Sequence, residues 1–257
     1  MKYLYGVLFS FFLMSPLIVE ANADQLVQYP DGIHVSTPGA GAFPTAQRLA
    51  KEAPGINVDV LALALSAMRC AQSHGQGVDA HRLAVIDYSR SSRTPRLWVF
   101  DLPHRKLLFH ELVAHGSGSG GDIPDRFSNK NDSHASSLGL YLTGDTYEGH
   151  NGISLRMDGL EPGFNSGAME RDIVLHGATY VNRQIGSELG RLGRSWGCPA
   201  VPKPLARPII NVMKDGQFLF AYYPEKAWLL RSSIERCAAA RLAQESNQSI
   251  VNTLAER

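Results

Sequence analysis

A cysteine, two histidines and an arginine carry the covalent chemistry open to this chain, and all but one histidine fall close together in its second half. Cys198 lies in Gly193-Arg194-Ser195-Trp196-Gly197-Cys198-Pro199-Ala200. Gly197 has no Cβ, so another backbone or a substrate can approach it. Pro199 has no N–H, so an oxyanion hole must draw on the N–H groups of Gly197 and Cys198. His176 ends the apolar run Ile173–Leu175 and precedes Gly177. A Cys–His pair shifts a thiol toward the thiolate, the form that attacks a carbonyl carbon. The plainer alternative is a buried cysteine beside a structural histidine, since free cysteine is among the most buried residue types.

Other residues compete for roles. Arg194 can grip a peptide carboxylate with two parallel N–H groups, or serve as an ordinary structural arginine. Trp196 can stack on a substrate or fill the space beneath the turn, and packing is the preferred reading. Ser195 is expected to support the turn. His115-Gly116 repeats the His-Gly pair at the end of another strand-like run and is a rival base. His134, Asp145 and His150 lack paired metal-ligand spacing and read as solvated loop residues, so neither a metal nor a cofactor is expected.

These side chains need a scaffold. Leu83–Tyr88, Leu97–Phe100 and Leu107–Val113, separated by turn residues, read as an antiparallel meander. Gly116–Gly121 reads as a flexible loop, with polar sequence continuing to Ser137. Leu138–Thr143 resumes strand, Gly144–Gly152 reads as a turn-rich connection, and Asp172–His176 and Gln217–Tyr223 read as later strands. Residues 24–55 read as an irregular arm, 56–80 as an accessory helix, and 226–257 as a C-terminal helix with a fraying tail. Composition alone reaches a β-rich chain with helices at both ends.

Lys2, the apolar stretch Leu4–Val19 and Ala21-Asn22-Ala23 form the pattern of a secretory signal peptide over residues 1–23, leaving no stable membrane span after cleavage. Lys+Arg number 25 against 24 Asp+Glu, with no basic block, which argues against a nucleic-acid partner. An odd count of three cysteines in an exported chain suggests one free thiol and one bridge. If Cys198 is the nucleophile, Cys70 and Cys237 are left to pair, or to stand as two separate buried thiols.

The two His/Cys segments together resemble the signature of YkuD-type L,D-transpeptidases, and most closely its divergent murein L,D-transpeptidase catalytic domain branch. The likeness runs from about Leu83 to about Tyr223. It takes in Asp87-Tyr88-Ser89, Leu97–Asp101, Ala114-His115-Gly116, Ser136–Gly139, Gly159–Asn165 and Arg171. Trp196 stands where the usual motif has a second histidine, and Pro199-Ala200 replaces an apolar residue and Arg or Asn. The resemblance implies a mixed β-rich α+β fold, a β-sandwich or barrel with flanking helices, and a catalytic domain over 81–225. It implies a Cys198 thioester, His176 as base oriented by the Gly177 carbonyl, and Arg194, Ser195 and Trp196 facing substrate. The implied partners are peptidoglycan stem peptides as acyl donor and acceptor, in the periplasm or cell envelope, with carbapenems as inhibitors. The altered motif leaves the acyl-donor position in the stem open. Rival readings are an L,D-carboxypeptidase or endopeptidase on murein peptides, a sortase-like transpeptidase, and a non-catalytic murein-binding module. A sortase would have its histidine further upstream and an arginine after the cysteine; a papain-like peptidase would have cysteine before histidine.

Overall fold

The apolar runs Leu83–Ile86 and Leu97–Phe100 have no polar face to offer water, and both are buried throughout. Such strands need cover on both sides. In the computed structural model, which describes residues 44–255, that cover comes from helices on one face and from curling of the sheet on the other. The signal-peptide reading and most of the irregular arm lie outside the described residues. Within the arm, residues Pro44–Lys51 form helix α1 instead of irregular chain.

Helix α2, Val58–Ser73, begins at Asn57, whose Oδ1 accepts from the N–H groups of Asp59 at 2.8 Å and Val60 at 3.4 Å. It is apolar on nearly every side and correspondingly buried. Cys70 on α2 is bonded to Cys237 on the C-terminal helix α6, Ser233–Ala255, with Cα atoms 6.2 Å apart. Cys198 is the free cysteine. Helix α5, Lys226–Arg231, precedes α6. The described helix therefore runs on through residues read as a fraying tail.

Strands β1 (Arg82–Asp87), β2 (Leu97–Asp101) and β3 (Lys106–Glu111) form the expected antiparallel meander. β4 (Gly139–Gly149) and β5 (Gly152–Gly159) form a hairpin. The reading of 144–152 as a connection is thus corrected. Its polar residues lie on a half-exposed ribbon, where turn-forming composition and strand are compatible. β6 (Val174–Ala178), β7 (Ala200–Pro202) and β8 (Phe218–Tyr222) complete one eight-stranded sheet, in the order β3-β2-β1-β8-β4-β5-β6-β7. Between them lie α3 (Arg183–Leu189) and α4 (Lys203–Met213).

The two edges of this sheet nearly meet. Past β3, Ala114 donates to the Ala200 carbonyl at 2.8 Å, and Ser117 donates to the Ser195 carbonyl at 2.8 Å. Among the described residues the fold is therefore a nearly closed eight-stranded barrel flanked by six α-helices. Its seam is the segment that carries Cys198.

Candidate active site

The seam brings three stretches together: 113–117 after β3, 195–200 into β7, and 171–178 through β6. His176 pairs with Ala200 in parallel register, and its N–H reaches the Pro199 carbonyl at 3.4 Å. Cys198 is thereby held against the start of β6. Its half-buried Sγ receives the Val174 N–H at 3.5 Å and is directed at the Asp172 carbonyl at 3.6 Å. Asp172 adopts φ 51°, a left-handed conformation uncommon for a side-chain-bearing residue, which contributes to aiming that carbonyl. Burial pushes the thiol pKa up, while the Val174 N–H and the Arg171 charge draw it back.

His176 is buried, and its Nδ1 lies 3.1 Å from the Gly177 carbonyl. A carbonyl only accepts, so Nδ1 carries the hydrogen and Nε2 keeps its lone pair. Burial lowers the His176 pKa, with a smaller opposing pull from that carbonyl bond, so the ring is a neutral base at neutral pH. In this resting arrangement Sγ is bonded to backbone, not to His176; such contacts often tighten only with substrate bound. Gly177 has a packing reason of its own: a Cβ there would sit 2.7 Å from Ala206 Cβ on α4.

The turn that carries Cys198 is stiff. Ser195 Oγ donates to the Cys198 carbonyl at 2.6 Å and accepts the Gly197 N–H at 3.2 Å. Gly197 sits at φ 120°, and a Cβ would meet Ile173 Cδ1 at 2.8 Å and the Ala135 carbonyl at 2.9 Å. Glycine is required there on both counts. With the Gly197 N–H engaged by Ser195, the Cys198 N–H is the donor left for an oxyanion.

Arg194 does not point to an open subsite. It donates to the Gly120 carbonyl at 2.5 Å and lies 3.5 Å from that of Ser117, gripping the glycine-rich loop. That loop is not a flexible tether. A Cβ on Gly116 would come within 2.3 Å of the His134 carbonyl, and one on Gly118 within 2.1 Å of the Ser133 carbonyl. Its glycines allow close backbone packing. Trp196 does not fill the space beneath the turn. It is 76% exposed and stacks on His134 with ring centroids 5.0 Å apart. The turn is too tightly backed by residues 133–136 to admit an indole, so the ring projects at the rim.

His115 is fully buried, and its Nδ1 lone pair is taken by a cation. Arg96 Nη2 donates to its Nδ1 at 2.8 Å, and Arg96 also holds the Val113 carbonyl. Burial, reinforced by the Arg96 charge, pushes the His115 pKa down to about 3. Tyr88 lies edge-on to the His115 ring. His134, Asp145 and His150 form no cluster, and no group of three or more metal-ligating side chains occurs among the described residues.

Four features of the site were not legible beforehand. The Asp172 carbonyl and Val174 N–H are backbone groups with no side-chain signal. Ser136 Oγ, which accepts from Gly116 N–H and donates to the Gly197 carbonyl at 3.0 Å, lies far off in sequence. Arg96 heads the apolar run Leu97–Phe100, and a charge at that place is the one signal in the sequence that could have found any of the four.

The profile of the L,D-transpeptidase catalytic domain family matches residues 52–222. None of the curated proteins compared matches this chain. Among solved structures, an L,D-transpeptidase from Mycobacterium smegmatis is 13% identical, with 56% of this chain and 59% of that chain covered and a TM-score of 0.35. An L,D-transpeptidase from Mycobacterium tuberculosis H37Rv is 13% identical, covering 56% and 58%, at 0.33. One from Stackebrandtia nassauensis is 14% identical, covering 73% and 93%, at 0.33. This chain thus spans under two thirds of the length of the mycobacterial proteins.

Proposed function

Because this chain belongs to the L,D-transpeptidase catalytic domain family, we propose that it is a cysteine L,D-transpeptidase acting on peptidoglycan stem peptides. The observation that carries the reading is a half-buried thiol on a stiff turn whose outgoing strand pairs with the strand of a histidine protonated on Nδ1, which leaves Nε2 as base. His176 Nε2 takes the Cys198 proton as Sγ attacks the donor carbonyl. The Cys198 N–H steadies the developing oxyanion, and collapse to the thioester expels the leaving amine with that proton. An acceptor amine then attacks the thioester and regenerates the thiol; water in its place gives hydrolysis. Trp196, exposed at the rim two residues from the thiol, is placed to contact substrate.

The protein acts outside the cytoplasm on this reading. The signal-peptide pattern of residues 1–23 and the Cys70–Cys237 bridge both favour an oxidising compartment. Among the described residues no helix is long and apolar enough to cross a membrane.

Mass analysis of muropeptides incubated with purified protein tests the proposal. Crosslinked dimers, absent with Cys198→Ala, are the expected products. Shortened stems without dimers would mark a hydrolase, and retained murein binding without any turnover would mark a binding module.

A further inference from the structure

Arg171 stands just before the strand that carries His176, and its guanidinium makes four hydrogen bonds without meeting a carboxylate. Nη1 donates to the Ser128 carbonyl at 2.8 Å and Ser137 Oγ at 2.6 Å. Nη2 donates to the Ala135 carbonyl at 2.7 Å and Ser133 Oγ at 3.2 Å. All four acceptors are uncharged and lie within residues 128–137. The same nitrogen is 3.2 Å from where a Gly197 Cβ would sit, immediately before Cys198. From within the clamped segment, Ser136 Oγ bonds the Gly197 carbonyl.

We propose that Arg171 is a positioning residue for the nucleophile: it clamps residues 128–137 onto the Gly197–Cys198 turn and sets an unneutralised positive charge beside Sγ. A fixed cation near a thiol favours the thiolate, and a low-polarity surround strengthens the effect. The other ionisable groups about the thiol do not supply this. Asp172 opposes ionisation. Tyr88 and Tyr180 are raised to about 12 and stay neutral. His176 is neutral, its pKa lowered by burial. The proposal rests on Cys198 being the nucleophile, but its test does not require the peptide reaction.

The test is the pH dependence of Cys198 alkylation by iodoacetamide in the full chain, followed by intact-protein mass spectrometry. Arg171→Met should raise the midpoint by about one pH unit, a roughly tenfold slower alkylation below it. Arg171→Lys keeps a charge and should stay near the wild-type midpoint. Ser133→Ala/Ser137→Ala removes two clamp bonds, keeps the charge, and should also leave the midpoint in place. If Arg171→Met does not fold, Arg171→Gln replaces it with the same expected shift. An unchanged midpoint without the charge would overturn the proposal, and so would an equal shift in the serine pair. A shifted midpoint in a protein that turns over no muropeptide would sink the transpeptidase reading alone.

Discussion

His115-Gly116 and His176-Gly177 are the same dipeptide at the end of similar apolar runs, both buried against the seam that carries Cys198. The fold gives them opposite tautomers. At His176 a carbonyl sits on Nδ1, so the lone pair is on Nε2 and available. At His115 a guanidinium sits on Nδ1, so the lone pair is already spent on a cation. One ring can accept a proton, and the other can do so only by giving up Arg96. The His115 main chain still serves the site, since its carbonyl accepts the Ser195 N–H at 3.1 Å. What separates a ring with a free lone pair from one already committed is the partner on one nitrogen, not the residue or its burial.

The largest expected difference between the pairs is in acylation. His176→Ala should slow thioester or carbapenem-adduct formation at Cys198 by at least about 100-fold, with the fold intact by circular dichroism. His115→Ala should retain adduct formation within a few-fold of the wild-type rate. Intact-protein mass spectrometry follows both, with Cys198→Ser as the control that loses the adduct. The reverse ranking would assign the base to His115.

Stability should invert that order. His115→Ala removes the acceptor of a buried guanidinium and should cost about 2 kcal/mol in urea unfolding. His176→Ala loses only one neutral contact to a carbonyl and should cost less. Equal losses would mean that the Arg96 contact contributes little.

The pairs also separate in the pH dependence of stability. The folded-state pKa of His115 lies at about 3, below its ordinary 6.5, and that of His176 is also lowered. Between those values the unfolded chain binds more protons than the folded one, so stability is lost as pH falls below 6.5. His115→Gln keeps an acceptor for Arg96 without a titrating group. It should flatten most of the fall in melting temperature between neutral and acid pH, and an unaltered slope would trace the fall to other groups. Acylation should keep its rate to below pH 6.5, because His176 stays unprotonated there.

The smallest effect concerns the turn linking the two pairs. Trp196→Ala should change stability by less than about 0.5 kcal/mol, as expected for an exposed side chain. It should raise the muropeptide KM several-fold and leave the intrinsic iodoacetamide reactivity of Cys198 unchanged. A large loss of stability would return Trp196 to a packing role.

Some of this was legible from local pattern. The meander β1–β3 follows from alternating apolar runs and turn residues, and α2 from its length and alanine content. The hairpin β4–β5 was half hidden, because its outer part is exposed and carries turn-forming residues. Trp196 was misplaced because sequence shows that an indole is near the turn but not that residues 133–136 already occupy the space behind it.

The sequence by itself determined the candidate nucleophile and base, the glycines around them, and which cysteines were left over to pair. These are matters of residue type and short spacing, and local chemistry suffices to state them. Only the tertiary structure decided which His-Gly pair holds a usable lone pair, that Arg194 grips a loop, and that Arg171 stands beside Cys198. His176 takes its tautomer from the adjacent Gly177 carbonyl, but His115 loses its lone pair to Arg96 at a separation of 19, and Arg194 grips carbonyls 74 and 77 positions away. Barrel closure at 114–117 against 195–200 sets those neighbours. Contacts of that kind are fixed by the packing of the whole chain, and no local run of residues encodes them.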